Sequence, residues 1–418
     1  MNTAVKLWNP NFIKYIIAFE FSEMGSAMLS FAIPLYILMA TNNPALLGTV
    51  LSLNLIPFVF FTSLGGVLAD RVDKRKFIVL TNLLIAFVIG LYVLLTCNMG
   101  ELAISIVLLF LMSVLQALQA SSFETVLYSI IPMDDLMKAG SVTHVMMIGS
   151  GLIVPVLTGF LLRQWGLESI VLISFSLFLL SALTNFLMKV KVEKQPVSDR
   201  GALKTIFEDL KSGLRFFQKE NPTLRKATLG LFLYAIVINP ALNMVPTIFI
   251  INQLGRTETD LGLAQGLISL GGVLGVLFLG KLGEKANETK LLPLLTLMAI
   301  LSIATTILFF FTSGTSAFLI LIGGTFSINT IVSIYSMIYF TYLGQNTPED
   351  IVGKVMAFSV VVMVLGGAAS QFITGRIFGL LGENLVLGAL MLPMIVLALI
   401  PFTIQRKNKL AKQPEVIK

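Results

Sequence analysis

The sequence predicts an all-α integral membrane protein of twelve transmembrane helices in two pseudo-symmetric six-helix bundles. Three observations predict it. The chain is 56% hydrophobic and only 12% charged, against about 25% charged residues in a soluble domain. It contains twelve continuous apolar stretches long enough to cross about 30 Å of hydrocarbon. It also repeats itself at a constant offset, which pairs Leu47 with Leu261, Gly48 with Gly262, Gly66 with Gly280, Asp70 with Glu284 and Arg71 with Lys285.

The stretches fall near 12–39, 44–68, 77–96, 102–122, 141–162, 169–189, 227–251, 261–280, 291–311, 317–342, 355–375 and 384–404. Only an all-helical bundle satisfies so many spanning backbones without a closed barrel. A barrel would need alternating rather than continuous apolar runs. The first stretch is too long for a signal-peptide core and carries no small-residue cleavage site, so it is expected to be retained.

The basic residues orient the chain. With both termini on one side, all of the 29 Lys and Arg except Arg163, Arg256 and Arg376 lie on that side. This places both termini in the cytoplasm and the protein in the cell membrane. The net charge of +7 then reads as topology and contact with anionic lipids, not as a nucleic-acid surface.

One long polar segment separates the halves. The expected domains are a six-helix bundle over 1–190, a cytoplasmic linker over 191–225, and a second six-helix bundle with a short tail over 226–418. Within the linker, Leu203, Ile206, Phe207, Leu210, Leu214 and Phe217 recur at helical spacing among charges. That pattern predicts an amphipathic helix lying on the cytoplasmic membrane surface. Further on, Pro132, Asp134, Gly151, Gly159 and Gly166 find counterparts in Pro348, Asp350, Gly367, Gly375 and Gly382. Internal repeats of this kind mark transporters whose substrate site lies near the bilayer midplane.

The segment Gly66-Val67-Leu68-Ala69-Asp70-Arg71-Val72-Asp73-Lys74-Arg75-Lys76 resembles the loop signature between the second and third helices of the major facilitator superfamily. Asp73 stands where many members have glycine. This form, together with 207–217 followed by Asn221-Pro222, resembles the macrolide-efflux branch of the drug exporters. The resemblance implies the major facilitator fold and proton-coupled efflux of lipophilic or cationic small molecules by alternating access. Export or flipping of an amphipathic metabolite, siderophore or lysolipid, or import, remains an open alternative. A non-transporting membrane enzyme or sensor is the rival class.

Read physically, Gly66, Asp70, Arg71, Lys74 and Arg75, with Glu284 and Lys285 in the second copy, form a cytoplasmic gate. Charges at a helix end can pair with a neighbouring helix end or its carbonyl dipole. The fifth stretch carries Gly151, Pro155 and Gly159 at a spacing of four. Small residues there let helices approach closely, and proline permits a bend. This resembles the glycine-proline motif of antiporting members, with Val154 as a departure. The arginine that many proton-coupled members carry in the fourth helix is missing before Gln116.

Attention therefore shifts to intramembrane acids. Glu20 and Glu23 in the first stretch lie roughly 9 and 14 Å along the helix from Lys14. A charge there costs roughly 2.5–3.5 kcal/mol on insertion scales. They are candidates for proton coupling or for binding a cationic substrate. Glu124 and His144, joined through one short loop, are a second candidate pair. Expected cavity residues are Gln116, Gln119, Asn239, Asn243, Asn329, Tyr335, Tyr339 and Gln371. Phenylalanine (31) and methionine (18) suit walls for varied apolar ligands.

No cofactor is expected. A single cysteine, Cys97, and a single histidine, His144, exclude a cysteine- or histidine-based metal cluster. No phosphate-cradling Gly-Lys-Ser/Thr loop supports ATP drive, and no serine elbow is present. The expected partners are a small-molecule substrate, protons or other cations, and membrane lipids. The expected state is a monomer.

Overall fold

The computed structural model describes residues 7–96, 101–189, 211–217, 222–282, 288–349 and 351–381. Among these residues the chain is helical throughout, with no strand. The helices are α1 (Pro10–Thr41), α2 (Pro44–Arg71), α3 (Lys74–Thr96) and α4 (Glu101–Ile130), followed by one long run, Leu136–Phe186. That run breaks at Gly166, where φ is 72° and ψ is −178°. It is therefore two helices, α5 (136–165) and α6 (167–186). The break falls where the sequence places the loop between the fifth and sixth stretches, and only glycine adopts such a backbone freely. Then come α7 (Pro222–Ile248), α8 (Glu258–Leu282), α9 (Leu291–Phe310), α10 (Gly314–Gln345) and α11 (Val352–Leu381). The last predicted stretch, 384–404, lies outside the described residues. Ten continuous helical runs among the described residues are long and apolar enough to span a membrane.

The ends of these helices follow from local chemistry. Asn9 and Asn43 cap α1 and α2 through their side-chain oxygens. Asn42 ends α1 in the left-handed conformation at φ 48°. Thr257 and Asp260 exchange side-chain-to-backbone bonds at the start of α8, a reciprocal capping box.

The chain forms two compact units. The first holds Met1–Asp209 with Arg256–Gly266, and the second holds Leu210–Gly255 with Leu267–Lys418. In lipid, helices gain little from hydrophobic burial against one another, so close packing and interhelical hydrogen bonds hold them. The first unit has both. A Cβ on Gly65 of α2 would lie 2.0 Å from the Leu118 carbonyl oxygen of α4. A buried polar ladder crosses four helices. Gln119 of α4 accepts from Thr81 of α3 at 2.7 Å and donates to Ser22 of α1 at 3.0 Å. Ser22 donates to Asn82 of α3 at 3.2 Å, and Asn82 donates to Ser181 of α6 at 3.1 Å. Ser181 in turn donates to the Ala18 carbonyl of α1 at 2.6 Å.

The second unit repeats the pattern between α8 and α10. Cβ atoms on Gly271 and Gly275 would meet the carbonyl oxygens of Phe326 and Thr330 at 2.4 and 2.3 Å. Its core is built around Tyr335 and Tyr339, both fully buried. Pro240 and Pro246 interrupt the bonding of α7, which passes into a π-helical turn at Phe249–Gln253.

Of the linker, only its end is described. Residues 211–217 are helical, but Phe216 and Phe217 are buried. Phe217 lies 5.5 Å, ring to ring, from Phe358 of α11. Phe217 of the predicted apolar face thus packs on α11, while Leu214 of the same face is exposed.

Candidate functional site

The first unit holds an open cavity of about 420 Å³ between α1, α4 and α5. Helical periodicity builds its walls. On α1, Tyr15, Phe19 and Glu23 stand at intervals of four and share one face. On α4, Gln116, Gln119, Phe123, Glu124 and Tyr128 do the same work. On α5, Gly140, His144 and Met147 complete it.

Five residues singled out in the sequence meet here: Glu23, Gln116, Gln119, Glu124 and His144. Sequence reasoning missed the aromatic wall. Phe19 stacks on Tyr15 at 6.1 Å and meets Phe123 edge-on at 5.3 Å. The signal was present in the spacing of Tyr15, Phe19 and Glu23, but the pairing with Phe123 needs the packing of α1 on α4. Glu124 and His144 are exposed on the wall, and no ion pair joins them.

The two glutamines differ. Gln119 is engaged on both amide atoms by the buried ladder. Gln116 accepts from the Ser26 hydroxyl at 2.8 Å, while its amide nitrogen is buried with no partner among the described residues.

Glu20 and Glu23 also separate. Glu20 is 8% exposed and turns to α5, where its Oε2 accepts from Ser150 at 2.5 Å. Glu23 is half-buried and faces the cavity. No lysine or arginine lines the cavity among the described residues. Two carboxyl groups, aromatic faces and one imidazole suit a cation or a neutral aromatic body.

The remaining candidates lie elsewhere. Tyr335 and Tyr339 sit in the core of the second unit, where Tyr339 bonds Thr228 and Ser359 at 2.9 Å each. Two hydroxyl partners make that buried phenol a tie between α7, α10 and α11. Asn329 donates to the Ile268 carbonyl at 2.7 Å and ties α10 to α8. Gln371 is buried and donates to Asn239 at 2.8 Å. Asn243 is exposed and bonds back to the Asn239 carbonyl one turn earlier, at 3.0 Å.

The loop motif divides as well. Asp70 and Arg71 occupy the last turn of α2, and the side chains of Gly66's segment, Asp70 and Arg71 lie outside the described residues. So do Glu284 and Lys285. Asp73, which replaces the usual glycine, caps α3 by accepting from the Arg75 and Lys76 amides at 3.0 and 3.3 Å. Arg75 donates to the Met188 carbonyl at 2.5 Å, and Lys14 to the Leu187 carbonyl at 2.9 Å. Both cations thus satisfy free carbonyls just past the end of α6. Lys74 begins α3.

In the fifth helix the expected stripe of close contacts is only partly realised. A Cβ on Gly159 would lie 2.3 Å from the Glu258 carbonyl oxygen, and one on Gly262 would lie 2.4 Å from that of Pro155. Gly151 has open space where a Cβ would go. Close approach within the motif is therefore at Pro155 and Gly159, while a Cβ on Gly266 of α8 would lie 2.8 Å from the Leu152 carbonyl oxygen of α5.

Long apolar helices, an internal repeat and an open acidic and aromatic cavity describe a membrane transporter. A family model described as Major Facilitator Superfamily matches residues 16–371. The chain belongs to the Major Facilitator Superfamily. It is a multi-pass membrane transporter of that superfamily. Among curated relatives it is similar to the enterobactin exporter EntS of Shigella flexneri, 24% identical over 409 residues, which is 94% of this chain and 89% of that one. The enterobactin exporter EntS of Escherichia coli O1:K1 / APEC is 25% identical over 414 residues, with the same coverage. Among solved structures, the nucleoside transporter NupG superposes with a TM-score of 0.72 at 13% identity, covering 93% of this chain and 97% of that one. A bacterial homologue of the lysosomal transporter Spinster gives 0.68 at 15% identity, covering 97% and 98%. These two likenesses show the fold.

Proposed function

We propose that this superfamily member is a secondary exporter that moves lipophilic, cationic small molecules out of the cell in exchange for protons. The observation that carries this reading is the cavity of the first unit. Glu23 and Glu124 stand beside Tyr15, Phe19 and Phe123, and among the described residues no lysine or arginine lines the wall. Carboxylates and ring faces both attract an organic cation, each strongly where water is thin. A carboxyl cannot carry a proton and neutralise a bound cation at once, so the two loads exclude each other. That competition is the simplest physical route to exchange.

The reading includes twelve helices with both termini cytoplasmic in the inner membrane, the loop motif as a cytoplasmic gate, and a monomeric unit. The distribution of Lys and Arg supports the orientation. Asp70 and Glu284 are the acidic members of the gate, with Arg71 and Lys285 as their basic neighbours.

A second reading, export of a siderophore-like metabolite, is favoured by the enterobactin exporters, which align over 94% of this chain. The cavity's charge separates the two readings. Acidic walls repel an anionic ligand and attract a cation. The test is purified protein in liposomes with an imposed pH gradient, offered lipophilic cations and enterobactin in parallel. Gradient-driven movement of the cations supports the first reading. Movement of enterobactin alone supports the second.

A further inference from the structure

We propose that the first unit holds a site for one anionic phospholipid, whose phosphodiester headgroup is met by Lys14, Arg75 and Lys189 at the end of α6. The site is independent of the cargo. α6 packs on both α1 and α3, since Ser181 donates to the Ala18 carbonyl and accepts from Asn82. Where α6 ends, each of these neighbours supplies a cation. Lys14 of α1 donates to the Leu187 carbonyl at 2.9 Å. Arg75 of α3 donates to the Met188 carbonyl at 2.5 Å. Those carbonyls belong to consecutive residues, whose Cα atoms lie about 3.8 Å apart, so the two charges are neighbours. Asn11 clamps the next residue, bonding the Lys189 carbonyl at 2.8 Å and its amide at 3.1 Å. The Lys189 side chain itself is exposed.

Three positive charges gather there without a counter-ion. Among the described residues no carboxylate pairs with any of them. Asp73, two residues before Arg75, spends its Oδ1 on the Arg75 and Lys76 amides. Arg75 uses one N–H of its fork on Met188, and its side chain has no other partner among the described residues. A guanidinium with a free edge takes a phosphate through two parallel bonds. Deeper in the membrane, the same helices carry exposed apolar stripes, Leu180 and Leu183 on α6 and Leu80, Leu84 and Phe87 on α3. Their spacing of three and four puts each set on one face. Cations over an apolar flank match a lipid's head and tail, and basic pockets between transmembrane helices bind anionic headgroups. Free phosphate would satisfy the charges and leave the apolar flank unused.

Native mass spectrometry tests the site on the full-length protein in detergent, titrated with phosphatidylglycerol or phosphatidylcholine of the same chains. The parent is expected to hold its first phosphatidylglycerol about tenfold more tightly than phosphatidylcholine. Lys189→Gln disturbs no side-chain bond and should cut that preference about threefold. Arg75→Gln keeps a donor for the Met188 carbonyl and should remove most of the preference. Lys211→Gln, which discharges an exposed lysine of the linker, should change nothing. Added inorganic phosphate should leave the lipid bound. Equal binding of the two lipids by the parent overturns the proposal. So does an unchanged preference in both Lys189→Gln and Arg75→Gln. A loss in Lys211→Gln as large as in Lys189→Gln would mean diffuse attraction and no site. Displacement of phosphatidylglycerol by inorganic phosphate would assign the cations to a free anion and defeat the lipid.

Discussion

Glu20 accepts a 2.5 Å hydrogen bond from Ser150, joining α1 to α5, and so turns away from the cavity that Glu23 faces. Two acids one turn apart thereby acquire different surroundings. The second oxygen of Glu20 is buried and has no partner among the described residues. Both remain candidates for the coupling step, with Glu23 alone placed to touch the cargo.

The first prediction follows from that division. Glu23→Gln should abolish proton-driven uptake of lipophilic cations into inverted vesicles, while downhill exchange of a neutral substrate survives. Glu20→Gln keeps an acceptor for Ser150, so folded yield should hold while uphill transport falls at least tenfold. If both single substitutions and the double leave gradient-driven uptake intact, the carboxylate mechanism is wrong. Glu124 with His144 then becomes the coupling pair to test.

The loop motif should separate into a stabilising part and a gating part. Arg75→Ala removes the bond to the Met188 carbonyl. It should cost about 1–2 kcal/mol, visible as a lower melting temperature of the purified protein. Asp70→Asn should lower the transport rate at normal expression and an unchanged melting temperature, with Glu284→Gln milder. Equal transport by Asp70→Asn and the parent would reduce that residue to a topology signal.

Glycine substitutions in the fifth helix should diverge sharply. Gly159→Ala drives a methyl group into the Glu258 carbonyl and should destabilise by about 1–3 kcal/mol. Gly151→Ala meets open space and should leave thermal stability within about 0.5 kcal/mol. Thermal unfolding in detergent, monitored for both variants side by side, decides it. Similar losses at the two positions would contradict the packing described.

The polar ladder offers a fourth measurement. Asn82→Leu breaks contacts from α3 to α1 and α6. Interhelical bonds in membranes average about 0.6 kcal/mol, up to about 1.7, and each orphaned hydroxyl adds to the loss. A drop of about 1–3 kcal/mol is expected in reversible unfolding, with Ser181→Ala giving less. No change in either variant would mean the ladder is incidental to stability.

Much of the fold was legible without coordinates. Continuous apolar runs act locally. Backbone satisfaction in lipid forces such runs into helices wherever they occur. The acids Glu23 and Glu124, with His144 and Gln116, were also visible, because a polar group in an apolar run is conspicuous and expensive.

What the sequence by itself determined is therefore the class, the helices and the short roll of polar residues within them, all consequences of composition and period along one chain. Only the tertiary structure decided which of those residues share a cavity. Tyr335 and Tyr339 look like cavity residues in sequence, yet they are fully buried in the second unit's core. Glu20 and Glu23 look equivalent, yet one bonds Ser150 and the other lines the cavity. Arg75 looks like part of a gate, yet it caps the end of α6. In each case the deciding partner sits on a different helix, and the rotation of one helix against another is set by packing, which no single period along the chain encodes.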